Sequence, residues 1–241
     1  GTRHDNILTV EDPIEYIYRD KKSIISQREV GGDTETFASA LRHAFRQDPD
    51  VILIGEVRDL ETMSIALTAA DTGHLVLTTL HTLNVVETIS RIISFFPPHQ
   101  HQQIRLLLGG TLKAIVCQRL LVRSDMPGRV PAVEVMINSG AVREAIMDPE
   151  KTVNIPELME QGTVQYGMQT FDQSIMKLYK TGKITFEEAI QQASNPDDFD
   201  LRVKGITGTS DRWDQNENES GDAEKPSRQH SAEASGGFLK Y

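Results

Sequence analysis

A chain of 241 residues, 38% hydrophobic and 25% charged, can bury one sizeable core, or a core with a small helical lobe. Its 25 Lys and Arg against 35 Asp and Glu leave a formal charge of −10, which argues against a general nucleic-acid binder. The single cysteine, Cys117, excludes an intrachain disulfide and a Cys-rich zinc module, so a reducing compartment is expected, and no apolar run is long enough for a transmembrane segment. The start at Gly1, without Met or a signal peptide, reads as a chain cut from something longer.

Ile7–Val10 is a short apolar run and predicts a strand; Pro13 stops it, leaving Glu11, Asp12 and Glu15 at its end. Ser23–Arg28 predicts a second strand, broken by Gly31 and Gly32. A helix is expected from about Thr34 to Gln47, with Phe37, Leu41, Ala44 and Phe45 as its buried stripe and Arg42 and Arg46 on another face. Val51–Ile54, with three β-branched residues, suits a strand buried on both faces of a parallel sheet; Gly55 ends it, and Glu56, Arg58 and Asp59 crowd its carboxyl end. Leu60–Thr72 predicts a helix with Met63, Leu67 and Ala70 inward and Gly73 as its stop. Leu75–Thr79 predicts a strand bracketed by His74 and His81.

Asn84 can cap a helix that runs to about Phe96, and a further helix over Gln100–Ala114 contains Gly109 and Gly110, which imply a break or close packing. Arg119–Arg123 and Val130–Ile137 predict paired strands across a turn at Met126–Gly128. From Ser139 the pattern is helical, with three or four short helices including Phe171–Tyr179 and Phe186–Ala193, and Asn195–Asp198 ends regular structure. The polar, Gly- and Ser-rich Thr207–Tyr241 reads as a disordered tail. The fold class is therefore α/β, with a mostly parallel sheet and flanking helices over 1–138, a helical region over 139–206 and a tail over 207–241.

In open parallel sheets ligands bind beyond the carboxyl ends of the strands. Three such ends offer polar groups here: Glu11, Asp12 and Glu15; Glu56, Arg58 and Asp59; and His74 with His81. A phosphoryl-transfer site needs a carboxylate near a metal, a group that activates water, and cationic or donor groups for the phosphate, and these residues could fill each role. Plainer readings stand beside it. Acids next to Pro13 fit a solvated turn, histidines flanking a strand fit a structural role or a zinc site without a third ligand, and Arg42 and Arg46 fit a solvated helix face.

Together these stretches resemble a known family. Thr9-Val10-Glu11-Asp12-Pro13-Ile14-Glu15 is similar to the Asp box of the type II/IV secretion ATPase superfamily, Asp48–Asp59 to its atypical Walker B ending in glutamate, and Gly73–Thr82 to its His box. Gly167-Met168-Gln169-Thr170 with Asp172 resembles a late motif of the branch that retracts type IV pili in twitching motility. Ala141–Glu144 resembles the start of that branch's Ala-Ile-Arg-Asn-Leu-Ile-Arg-Glu motif, and Ala145–Asp148 departs from it. The resemblance covers the chain to about Phe199.

It implies a RecA-like P-loop NTPase core and an ATPase of pilus retraction, with ATP and Mg2+ as cofactors. Glu11 would be the base for the attacking water, Glu15 would orient that region, Glu56 would hold magnesium through water, and His81, with His74 and Arg58, would meet the nucleotide. It also implies a homohexamer, cytoplasmic and peripheral at the inner membrane, docked on the pilus platform protein. A type II secretion or pilus-extension ATPase is the alternative, although those relatives carry a four-cysteine zinc insertion that Cys117 alone cannot supply; a non-catalytic assembly subunit is the other. No Gly-x-x-x-x-Gly-Lys-Ser/Thr loop occurs in the chain. Three missing charge-assisted bonds to phosphate would cost about 4–9 kcal/mol, so these 241 residues alone are expected neither to bind ATP usefully nor to hydrolyse it.

Overall fold

The computed structural model describes residues 2–206; the expected tail from Thr207 lies outside them. The amino-terminal half is a four-stranded, all-parallel sheet in the order β2-β1-β3-β4, built from β1 (Asn6–Glu11), β2 (Ile24–Glu29), β3 (Val51–Ile54) and β4 (Leu75–Thr78). The two central strands, β1 and β3, are the most buried, with Leu8, Val10, Ile52 and Ile54 enclosed. Val10 stands opposite Ile54, and Ile54 opposite Thr78, so the strands finish level and their following residues share one edge. At that edge Gly55 donates its N–H to the Val10 carbonyl at 2.8 Å, and a Cβ on Gly55 would come within 3.3 Å of that oxygen. A side chain there would prise the two strand ends apart.

The first helix is shorter than its hydrophobic stripe predicts. Residues 34–36 remain outside it, because the Thr36 hydroxyl accepts the Ser39 N–H and starts α1 (Phe37–Ala44) there; Phe45–Gln47 tighten into a 3-10 turn. In α2 (Leu60–Asp71) Asp59 caps the start, and Gly73 follows with φ +102°, as expected of a helix stop. Met63 and Leu67 face inward as expected, whereas Ala69, and not Ala70, is the fully buried alanine of its last turn. Asn84 caps α3 (Val85–Ser94).

The next helix, α4 (His101–Thr111), stops three residues before the expected Ala114. Asn138 reaches back from the far strand and donates its side-chain N–H groups to the carbonyls of Gly109 and Leu112, at 2.9 and 2.8 Å, which terminates the helix. Ala114 instead opens β5 (Ala114–Val122), antiparallel to β6 (Arg129–Ile137) as a separate hairpin. Close packing explains Gly109: a Cβ would meet Met147 at 2.9 Å.

The helical region is richer than three or four helices: α5 (Gly140–Met147), α6 (Ile155–Gln161), α7 (Thr163–Tyr166), α8 (Phe171–Lys180), α9 (Phe186–Gln192) and α10 (Pro196–Val203) follow. Asn195–Asp198, expected to end regular structure, begins α10. The Asn195 side chain caps it, Pro196 takes the first helical turn and Asp197 and Asp198 sit at the positive end of the dipole. This region joins the hairpin: Gln169 bridges to Val135 through backbone bonds of 2.8 and 3.0 Å, and α8 lies against β6.

Candidate nucleotide site

The level strand ends bring a compact charged cluster together. Glu56, with its side chain 13% exposed, sits on the turn after β3; one carboxylate oxygen is paired with the Arg58 guanidinium and the other lies 3.3 Å from His81 Nε2. Arg58 also reaches Asp12, at 3.8 Å. Two bonds stitch the turn after β3 to the segment after β4: Val57 N–H donates to the Thr79 carbonyl at 3.3 Å, and the Thr79 hydroxyl donates to the Gly55 carbonyl at 2.5 Å. Those bonds bring His81 to Glu56 although the two are far apart in sequence. Arg58 and His81 are 65% and 88% exposed, so the guanidinium and the imidazole both face water with room for a ligand.

Glu11 ends the neighbouring strand. Its Oε1 accepts hydrogen bonds from Thr9 Oγ1 at 2.7 Å and Gln27 Nε2 at 3.0 Å, so a group of β2 holds it and no member of the Glu56 cluster does. Gln27 also fixes the loop after β1, donating to the Tyr16 carbonyl and accepting the Tyr18 N–H. The sequence reading missed Gln27 and Thr79. The strand register would have found them: Thr9 stands opposite Gln27, and Thr79 follows the residue paired with Ile54. Glu15 is exposed in the same loop, with no side-chain partner among the described residues.

His74 does not join the crevice. It precedes β4, at the amino end of the sheet, while His81 follows its carboxyl end. Its Nδ1 lies 3.0 Å from the Ala69 carbonyl and 3.2 Å from Thr72 Oγ1, and its ring meets Phe45 edge-on. His74 thus closes the end of α2 and borders an apolar groove of about 650 Å3 lined by Met63, Leu75, Leu77 and Leu107. A zinc site shared by His74 and His81 is excluded by the same geometry. Among the described residues no three His, Cys, Asp or Glu side chains form a metal cage. Magnesium needs none: it takes one or two carboxylates with phosphate oxygens and waters, and the hard oxygen donors of Glu56 and Asp12 fit that mode.

The family model described as "Type II/IV secretion system protein" matches residues 1–191. The chain belongs to this type II/IV secretion system protein family. Among its members, the type IV pilus ATPase PilU of Pseudomonas aeruginosa is 45% identical over 208 residues, covering 85% of this chain and 54% of PilU. A twitching motility protein of Neisseria gonorrhoeae is 45% identical over 194 residues, 80% of this chain and 51% of its own length. The crystal structure of the pilus retraction motor PilT with bound ADP superposes with a TM-score of 0.75 at 47% identity, covering 81% of this chain and 55% of PilT. The secretion-family chain thus shares the RecA-like α/β fold of that motor, and it spans about half the length of the curated relatives it matches.

Proposed function

We propose that this chain supplies the catalytic edge of an ATP-hydrolysing site in a motor of type IV pilus retraction. The observation that carries the proposal is the cluster of Glu56, Arg58 and His81 at the strand ends, beside Glu11. Thr9 and Gln27 hold one oxygen of Glu11, leaving Oε2 to accept a proton from water. That water attacks the γ-phosphorus, the bond to the bridging oxygen breaks, and ADP and phosphate leave without a covalent enzyme intermediate. Arg58 and His81 face the crevice and offset the negative charge that builds on the phosphoryl oxygens. Glu56, with Asp12 nearby, would hold magnesium through water, and that ion would neutralise phosphate charge. Gln27 holds the loop beside Glu11, and Glu15 stands exposed in that loop.

By likeness to its relatives, the working motor is a homohexamer that acts at the cytoplasmic face of the inner membrane against the pilus platform protein. No helix among the described residues is long and apolar enough to cross a membrane. The single Cys117 speaks against the zinc-bearing extension and type II secretion branch. The test is a polypeptide carrying this chain together with a lysine-bearing glycine-rich phosphate loop. Replacing Glu11 or Glu56 by Gln there lowers kcat for ATP by about 100-fold or more. Undiminished hydrolysis in both variants removes the assignment.

A further inference from the structure

Glu134, on β6, is the only buried acid among the described residues. A carboxylate leaves water only where other groups compensate it. Here the first N–H of α3, from Val85, donates to Glu134 Oε2 at 2.8 Å. Burial pushes the Glu134 carboxyl above its usual range, while the Val85 bond, the charge of Arg119 and the nearby backbone of Phe171, the first residue of α8, pull it back. Arg119, on β5, lies 3.9 Å over the Phe171 ring. It donates to the Gln192 carbonyl at the end of α9 at 2.8 Å, and to the Leu83 carbonyl at 3.4 Å.

Leu83 and Val85 bound the segment that follows His81. That segment is further tied by Thr82 Oγ1 to Thr88 Oγ1 at 2.7 Å and by the Leu83 N–H donating to Glu87 at 3.0 Å. His81 itself is almost free of packing; among the described residues its one side-chain partner is Glu56. Where His81 stands is therefore decided by how its loop is anchored at Leu83 and Val85, and both anchors lead to residues of the hairpin.

We infer that Glu134 and Arg119 are a positioning pair: they fasten the loop carrying His81 to the first turn of α8 and the last turn of α9. A shift of those helices then moves His81 relative to Glu56. The pair gains a catalytic purpose only if the ATPase reading holds, but the fastening itself can be tested without nucleotide.

The test is amide hydrogen exchange and imidazole NMR on the 241-residue chain. In E134Q the Val85 amide exchanges at least about tenfold faster, as loss of a charge-assisted bond requires. The His81 ring resonances shift, and the amides of β1 and β3 keep their rates. R119M shifts the His81 resonances as well, and it carries the test if E134Q does not fold. I146V, a core change in α5, serves as the control and leaves His81 unmoved. Unchanged His81 resonances in the folded variants overturn the inference, as does an equal shift in I146V. Absence of ATP hydrolysis in an assembled motor would defeat the proposed function and leave this result standing.

Discussion

Two glutamates of this chain each keep company with an arginine, and they are built in opposite ways. Glu56 stands at an open strand end, and its partners Arg58 and His81 are mostly in water. Glu134 is closed in, bonded to the backbone N–H of Val85 at the start of α3 and flanked by an arginine stacked on Phe171. The first arrangement leaves an exposed guanidinium and imidazole that an incoming anion can recruit. The second fixes backbone and leaves nothing for a ligand. A carboxylate–arginine pair is thus a reactive feature only where its partners remain exchangeable with solvent.

The largest expected difference between the two is in stability. Glu134→Ala leaves the Val85 N–H without its acceptor and Arg119 without its countercharge and costs about 2 kcal/mol or more, whereas Glu56→Ala costs less than about 1 kcal/mol, since its partners return to water. Urea unfolding of the two variants checks this, and equal midpoints would erase the distinction. Next in size is a contrast within the His box. In a motor with its phosphate loop, His81→Ala lowers kcat about tenfold with little change in stability. His74→Ala leaves kcat alone and lowers stability by about 1 kcal/mol, because it only closes α2.

A smaller contrast lies in α4. Gly110→Ala stabilises by up to about 1 kcal/mol, since a Cβ there meets nothing within 4 Å. Gly109→Ala forfeits that gain against Met147, which melting temperatures will register as a difference of sign. A last contrast, confined to alkaline pH, concerns Cys117, whose thiol burial, with Glu134 nearby, pushes up to about 11 from 9.0. The unfolded chain therefore releases this proton first, so folding stability declines as pH rises from about 9 towards 11. Cys117→Ala flattens that alkaline decline, measured as unfolding midpoints on either side of pH 9.

Much of the parallel sheet was legible in advance. Val51–Ile54 is apolar without alternation, as a strand covered on both faces must be, and Pro13 and Gly55 mark strand ends by backbone chemistry that no context changes. Helix boundaries were less legible where a distant group set them. The end of α4 depends on Asn138, donated from β6, so local propensity carried the expected helix too far. At Asn195–Asp198 the signal was local but double-edged, since Asn, Pro and Asp suit both turns and helix starts.

The site divided along the same line. The sequence determined the chemical inventory: acids after two strands, a histidine after a third, one cysteine and no lysine-bearing phosphate loop. It could not say which of two histidines flanking one strand belongs to the crevice, because that depends on which way the strand runs in the sheet. Only the tertiary structure decided that, by running β4 parallel to β3 so that His81 meets Glu56 and His74 is carried to the opposite edge. It likewise decided that Glu134 is buried, since its bond comes from a helix start 49 residues before it, and the arginine beside it stacks on Phe171, whose meeting no short-range pattern encodes.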